Sequence, residues 1–519
     1  MGMPAVSSAQ SSSRGRRPGG RPGLSARSGR GLVVVVVMMG VLMAAVDTTI
    51  VVLALPAMQH SLHMSLSSVV WVIIAYILVV TVLATQVGRL GDMFGRSRMY
   101  ELGFLVFIVG SALCASASNE ATIISFRAIQ GVGGAFLTAN SGAVLADAFP
   151  RDERGRAFGY NSIGWNVGAI LGILLGGIII TYVSWRWIFW INVPTGIVAL
   201  VLAWHALGSS HPRRRGKLDL AGMVLLGAGL FGVLWGMTQL ATSSLSASAL
   251  GYLFGGALVL CAFVAVERHR PSPMVDLSLF RIPTFTPTLL AALFQALANF
   301  AVLFLVLMYL QGVRGLTPLH ASLLLVPGYL VGGVIGPFCG RLADRVGAVW
   351  PATFGLGTQM IALFVYAHLR PGTPLWVVTL GAVVNGIGAG AFIPANNSVV
   401  MKMAPGGDFG TAFGLLRTFG NVGMVFSFSV AILVAARAIS RHLAFAIFLG
   451  TTSLPRYLGP AFTTGLHAAF YSSMAFMALA TALSATRILG LVRPQTGEGE
   501  TTPRRDDEPS RHTSGRRHQ

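Results

Sequence analysis

The feature that most constrains this chain is a succession of apolar stretches, each long enough to cross a lipid bilayer. A hydrocarbon core of ~30 Å takes about 20 helical residues. By that measure fourteen stretches qualify: 33–56, 69–87, 99–118, 122–146, 157–182, 188–207, 219–240, 249–266, 285–310, 319–339, 350–369, 375–400, 411–436 and 465–489. Only helices and closed barrels satisfy every backbone polar group in lipid, and none of these stretches shows the period-two alternation of a barrel strand. The fold class is therefore all-α, a membrane protein of fourteen transmembrane helices. With 54% of its residues hydrophobic and 10% charged, a soluble globule would have no means of covering its apolar surface.

A net charge of +20 raises the question of a nucleic-acid partner, and the placement of the basic residues answers it. If both termini are cytoplasmic, the outer loops carry only Arg186, Arg314, Arg370, Arg437, Arg441 and Arg456, and the apolar runs hold Arg127 and Arg417, with Arg487 at the edge of the last run counted with the tail. The remaining Lys and Arg fall in cytoplasmic loops and tails, which is the positive-inside pattern. The expected location is the plasma (inner) membrane, multi-pass, with the bilayer as partner and no nucleic acid. The Arg16-Arg17 pair resembles an export signal, but the run that follows continues to Pro56 and a second helix comes soon after. An uncleaved first helix is the better reading.

A short loop occurs twice. Gly88 to Arg98 reads GRLGDMFGRSR, and Gly340 to Gly347 reads GRLADRVG. Each follows a helix-length apolar run, with glycines for tight geometry and an Asp between cationic flanks. Two further echoes keep nearly the same separation. QGVGGAFLTAN (Gln130 to Asn140) matches NGIGAGAFIPAN (Asn385 to Asn396), and GRAFG followed by Asn166-Val167-Gly168 matches GTAFG followed by Asn421-Val422-Gly423. Constant spacing implies duplication. The expected organisation is a basic, disordered cytoplasmic tail (1–31), an N-terminal six-helix bundle (32–207), a connector with two inserted transmembrane helices (208–284), a C-terminal six-helix bundle (285–489) and a disordered cytoplasmic tail (490–519). Two facing halves of this kind suit alternating access around a midplane site. The outer loop 437–464 contains LAFAIFLG, too short to span and read as interfacial or re-entrant.

Cys114, Cys261 and Cys339 stand singly in apolar helices and are expected as small core residues, not disulfides or metal ligands. No Gly-x-x-x-x-Gly-Lys-Ser/Thr loop is present, so no ATP site is visible, and no arrangement suggests covalent catalysis. The chain is not expected to be an enzyme or to need a cofactor. The histidines fall in loops, tails or helix ends, which argues against a histidine proton relay.

Ionisable groups deep in lipid are costly and call for a reason. Asp47 in the first helix and Arg127 in the fourth, which runs the opposite way, come to about the same depth at ~1.5 Å per residue. They are candidates for a buried pair controlled by protonation of the Asp. The plainer alternatives are hydrogen bonding of Asp47 to Thr48 and Thr49 at a bend before Pro56, and snorkelling of Arg127 to the outer headgroups. Arg417 is open to snorkelling or function, and Glu101 and Asp147 belong to the rim. The glycines of the fourth and fifth helices, among them Gly131, Gly133, Gly134, Gly164, Gly168, Gly172, Gly176 and Gly177, suit close packing and low-cost sliding alike. Aromatic and Met residues of the middle helices either line a greasy cavity or face lipid.

From Val33 to Leu489 the residues quoted resemble the major facilitator superfamily, and more narrowly its fourteen-helix drug:proton antiporters. GRLGDMFGRSR resembles the superfamily's loop between helices two and three. DTTIVVLALP (Asp47 to Pro56) resembles this branch's first-helix signature, SWRWIFWINVP (Ser184 to Pro194) its start of helix six, and Arg127 with Gly131 its fourth-helix motif. The resemblance implies a part in proton coupling for Arg127, whose expected partner from depth and charge is Asp47. It also implies a cytoplasmic gate built from Gly88, Arg89, Asp92, Gly95, Arg96 and Asp147, in which Asp92 braces the start of the thirteenth helix and Arg96 pairs with Asp147. A second-half counterpart would comprise Gly340, Asp344, Arg345 and Gly347. Two positions depart from the pattern. The fifth-helix antiporter motif, here Gly168, Gly172, Gly176 and Gly177, has Ile173 where the family has proline, and the first-helix signature has Val52 where Asn is usual. The expected function is proton-coupled export of hydrophobic or cationic small molecules, such as drugs or antibiotics, by a monomer. The alternative is an uncoupled or differently coupled exporter of an amphipathic or lipid-like metabolite.

Overall fold

The computed structural model describes residues 26–149, 154–208, 218–242, 246–270, 273, 280, 282–403, 409–435 and 459–492. Among them there are fourteen long helices. They are α1 (Ala26–Leu62), α2 (Leu66–Phe94), α3 (Arg96–Ala115), α4 (Glu120–Ala148), α5 (Arg154–Tyr182), α6 (Trp187–Ala206, with a turn at Ile191) and the pair α7 (Leu220–Thr242) and α8 (Ala247–Arg268). Then come α9 (Phe285–Val313, ending in a π-helical turn over Tyr309–Val313), α10 (Pro318–Val346), α11 (Val349–Ala367), α12 (Leu375–Met403), α13 (Phe409–Ala435) and α14 (Gly459–Val492). Twelve are long and apolar enough on their own to cross a membrane. The other two are as long: in α4 polar residues such as Gln130 and Asn140 interrupt the apolar character, and α13 has side chains at both ends outside the described residues. Both are enclosed by neighbours, α4 by α1, α2 and α3, and α13 by α9, α2 and α14.

Helix starts are set by short polar side chains. Ser65 caps α2, Ser246 caps α8, and Thr317 caps α10 ahead of Pro318 at the first helical position. Asn119 and Thr122 form a reciprocal capping box on α4. Helix bounds differ from the hydropathy edges where polar residues continue a helix: α1 already begins at Ala26, within the expected tail, and α14 begins at Gly459. The loop expected at the interface, 437–464, lies outside the described residues up to 458, and of the two tails only residues 26–31 and 490–492 are described.

The first six and last six helices pack by one plan. α1 lies on α5 and α6, α2 on α4, and α3 on α4 and α6; correspondingly α9 lies on α13 and α14, α10 on α12, and α11 on α12 and α14. The sequence echoes take equivalent places. Gly168 of α5 sits over Leu42 and Ala45 of α1, and Gly423 of α13 sits over Leu293 and Ala296 of α9. The doubled loop repeats a backbone conformation: Gly95 has φ 101° and Gly347 has φ 90°, a region where a side chain is strained. The two groups meet along two seams, α2 with α13 and α5 with α10. The cysteine expectation holds only in part. Cys114 is buried, but Cys261 is exposed on α8 and Cys339 is half-buried, because both sit on outward helix faces.

Candidate functional site

Glycines let α4 approach its neighbours closely enough to assemble a polar cluster. A Cβ at Gly131 would lie 2.8 Å from the Tyr76 carbonyl oxygen of α2, and one at Gly133 would overlap the backbone of Phe107 in α3. Arg127 and Gln130, three residues apart, share the helix face so brought inward. Asp47 is fully buried and Arg127 is 1% exposed. Arg127 Nη1 donates to Asp47 Oδ2 at 2.6 Å and to Gln130 Oε1 at 2.7 Å, while its Nε donates to the Val72 carbonyl at 2.9 Å. Its guanidinium lies 4.4 Å from the centroid of the Tyr76 ring and 5.8 Å from that of Phe189. Gln130 Nε2 completes the cluster by donating to Asp47 Oδ1 at 2.8 Å and Ser111 Oγ at 2.9 Å.

Each oxygen of Asp47 thus faces a donor, and Arg127 is held by neutral partners as well as by the carboxylate. The plainer alternatives do not describe this geometry. The hydroxyls of Thr48 and Thr49 turn back to the carbonyls of Ala44 and Ala45, and Arg127 points inward. Sequence reasoning brought Asp47 and Arg127 together but gave no role to Gln130, Ser111 or Tyr76. The signal was available for Gln130, an amide one helical turn from a buried arginine.

Where α2 meets α3, Arg96 joins two acids: Nε donates to Asp92 Oδ1 at 2.9 Å and Nη1 to Asp147 Oδ1 at 2.9 Å. The Arg96–Asp147 pair implied by the resemblance is present. Asp92 pairs with Arg96, and the side chains that open α13 lie outside the described residues, as does that of Asp344. Gly91 has no room for a side chain, because a Cβ there would overlap Asn140 Oδ1, whereas Gly88 has open space. Arg89 donates to the carbonyl of Pro273. In the second copy Arg345 is exposed and Gly340 is 3.8 Å, by a built Cβ, from Pro394. In α5, Gly168, Gly172 and Gly176 lie against α1, while Gly177 faces Leu319 and Ser322 of α10. Arg417 stands 5.9 Å from the Trp165 ring centroid across the interface between the two groups of helices.

A second buried arginine escaped the sequence reading. Arg487 of α14, counted there among the tail charges, is 1% exposed and donates from Nη1 to Asn396 Oδ1 (2.9 Å) and Thr288 Oγ1 (3.1 Å), and also to Ser484. It falls at the fading edge of an apolar run, where hydropathy cannot tell an interior face from an interfacial one.

Comparison with known proteins follows the same lines. Residues 37–428 match the family model for the Major Facilitator Superfamily. The tetracenomycin C resistance and export protein of Streptomyces glaucescens is 31% identical over 75% of this chain and 72% of its own length. Multidrug resistance protein Stp of Mycobacterium tuberculosis is 30% identical over 78% of this chain and 76% of its own. The riboflavin transporter RibZ of Clostridioides difficile is 31% identical over 75% and 85%. Among solved structures, an inward-facing bacterial homologue of the human lysosomal transporter Spinster superposes with a TM-score of 0.61 at 17% identity, covering 89% of this chain and 97% of that one.

Proposed function

The chain belongs to the Major Facilitator Superfamily, a multi-span transporter of small molecules and not an enzyme, and on that premise we propose that it is a proton-coupled exporter of hydrophobic or cationic compounds. It would work as a monomer in the plasma membrane, with both termini cytoplasmic. The observation that carries the coupling is the fully buried Asp47–Arg127 ion pair at 2.6 Å.

An ionised carboxylate in this setting is stable because both of its oxygens receive hydrogen bonds. A proton arriving on Asp47 neutralises the carboxylate, so both hydrogen bonds that it accepts lose their charge assistance. The bond from Arg127 loses most, because the attraction between opposite charges goes with it. Arg127 then keeps Val72, Gln130 Oε1 and the Tyr76 ring but has no counter-charge on Asp47, and the tie between α1 and α4 is weakened. Coupling follows if the deprotonated, joined state and the protonated, released state favour different openings of the seams α2–α13 and α5–α10, with a cationic or amphipathic substrate competing with the proton. The Asp92–Arg96–Asp147 cluster would act as a latch at the cytoplasmic gate. Relatives named for tetracenomycin C export and multidrug resistance support the substrate class.

The test is the luminal pH of inverted, energised vesicles on adding lipophilic cations and neutral antibiotics, with Asp47→Asn as control. Substrate-triggered proton release that the variant lacks is the expected result; transport that proceeds equally in the variant removes Asp47 from the mechanism. A second reading is favoured by one specific observation, the fully buried Ile173 where the antiporter motif has proline, and a riboflavin transporter stands among the relatives. In that reading the substrate is an amphipathic metabolite and its export survives collapse of the proton gradient.

A further inference from the structure

Helices α7 and α8 lie outside the duplicated plan. α7 covers the seam between α2 and α13 and touches both. To α2 it is tied by aromatic rings and a buried hydrogen bond. The Trp71 ring of α2 lies 5.1 Å from that of Phe231 and 5.3 Å from that of Trp235, and those two rings stack on each other at 5.9 Å. At the other end of α7, the Asp219 N–H donates to Gln86 Oε1 at 3.3 Å. Both residues are buried, so separating them would strand polar groups in an apolar setting. Between these anchors, a Cβ at Gly227 would come within 3.5 Å of Val82 Cγ1. The hairpin is also closed upon itself, because Arg270, just past α8, pairs with Asp219, just before α7, at 3.4 Å.

The chain leaving the hairpin still holds to α2, through the bond from Arg89 to the Pro273 carbonyl. By Phe280 it has changed partners: that ring lies 5.9 Å from Phe419 of α13, and Phe280 and Ile282 join the apolar cluster of Phe285 and Leu289 in α9.

We propose that α7 and α8 move as a fixed part of the first six-helix group, and that the contact of α7 with α13 is the one that slides when the two groups rock. The inference rests on the alternating-access reading but needs neither proton nor substrate for its test. Rigidity follows from what must break. Freeing the hairpin from α2 would part the Trp71 ring from those of Phe231 and Trp235 and break a buried hydrogen bond.

Spin-label distances in the full-length, nanodisc-reconstituted protein test this. Cys261, exposed on α8, carries one label in a Cys339→Ala background; the second goes on Val109→Cys of α3 or Phe364→Cys of α11, both exposed. A reference state comes from an oxidised Asn166→Cys/Gly333→Cys pair across the α5–α10 seam, where a Cβ at Gly333 lies 3.8 Å from Asn166 Cβ, the separation a disulfide prefers. Between locked protein and protein without the lock, the Cys261–Val109 distribution should stay the same and the Cys261–Phe364 distribution should broaden. Adding Trp71→Ala and Gln86→Ala should broaden the first as well. A Cys261–Val109 distance that changes on removing the lock overturns the proposal, and so does the absence of change in both distances. Either failure would leave the vesicle proton assay, and the reading it tests, untouched.

Discussion

Replacing Asp47 by Asn, alone and together with Gln130→Glu, separates the structural part of the buried cluster from its proton chemistry. In Asp47→Asn the new amide can still accept from Arg127 through its oxygen. Its nitrogen then faces Gln130 Nε2, which now donates to Asp47 Oδ1 at 2.8 Å, so two donors meet. Turning the Gln130 amide relieves that conflict only by withdrawing the oxygen that accepts from Arg127 at 2.7 Å. One buried group is left unsatisfied in either arrangement, and Arg127 loses its counter-charge, for a combined cost of about 2 kcal/mol. At ~2–4 °C per kcal/mol for a unit of one bundle's size, thermal stability falls by about 4–8 °C. Gln130→Glu on top of it returns a carboxylate to the cluster, now on α4, able to accept from Arg127, from the amide introduced on α1 and from the Ser111 hydroxyl. Most of the lost stability should return. Proton-coupled export should not, because the acid no longer links α1 to α4 as an ion pair that protonation can break. Melting of detergent-purified protein and the vesicle pH assay read the two quantities separately. A double variant as unstable as Asp47→Asn refutes the hydrogen-bond reasoning, and one that regains substrate-driven proton release refutes the need for the acid on α1.

Three further outcomes are expected. Gly386→Ala should abolish folded protein in the membrane, since its Cβ would overlap the carbonyl oxygen of Gly328, whereas Gly357→Ala, with nothing within 4 Å of its Cβ, should be neutral; fluorescence-detected size exclusion measures both. Arg487→Leu leaves Asn396 Oδ1 and the Thr288 hydroxyl without their donor and should cost about 2–4 kcal/mol, with partial recovery in Arg487→Lys, as read by thermal melting. Glu120 accepts from the backbone N–H of Ser65 at 2.9 Å, which holds its carboxyl below the usual range. Its folded-state pKa being depressed, the tie between α2 and α4 is complete above the ordinary carboxylate range and is lost as pH falls through the folded value. Glu120→Gln should therefore remove a small acid-sensitive step from stability measured between pH 7 and 3.

The apolar runs determine the helices because lipid leaves the backbone no other arrangement, and that much could be read directly. The partnership of Asp47 and Arg127 was also legible, since two charges at one depth in hydrocarbon have few alternatives. Their setting was not. Ser111 and Tyr76 carry no marker of burial, Gln130 is marked only by its place one helical turn from Arg127, and the glycine-mediated approach of α4 to α2 and α3 brings all three into reach. Arg487 illustrates the opposite failure. Its charge was visible but its direction was not, because a helix end near the interface offers an arginine both water and an interior face. The exposure of Cys261 has the same origin: in a bilayer the outward face of a helix is as apolar as the inward one, so hydrophobicity does not point to the core.

Asp47 and Arg127 belong to the same group of six helices, and this bears on how the membrane voltage acts. In the proposed cycle, rocking would carry the intact pair with no net charge, and the electric field would do no work on it. With Asp47 neutralised by a proton, the same movement would carry the uncompensated positive charge of Arg127, worth ~2.3 kcal/mol for each 100 mV if it crosses the whole field. The proposal thus predicts that the proton-loaded passage is the voltage-sensitive limb. Exchange of one proton for one monovalent cation should be electrically silent, and exchange for a neutral compound should generate current.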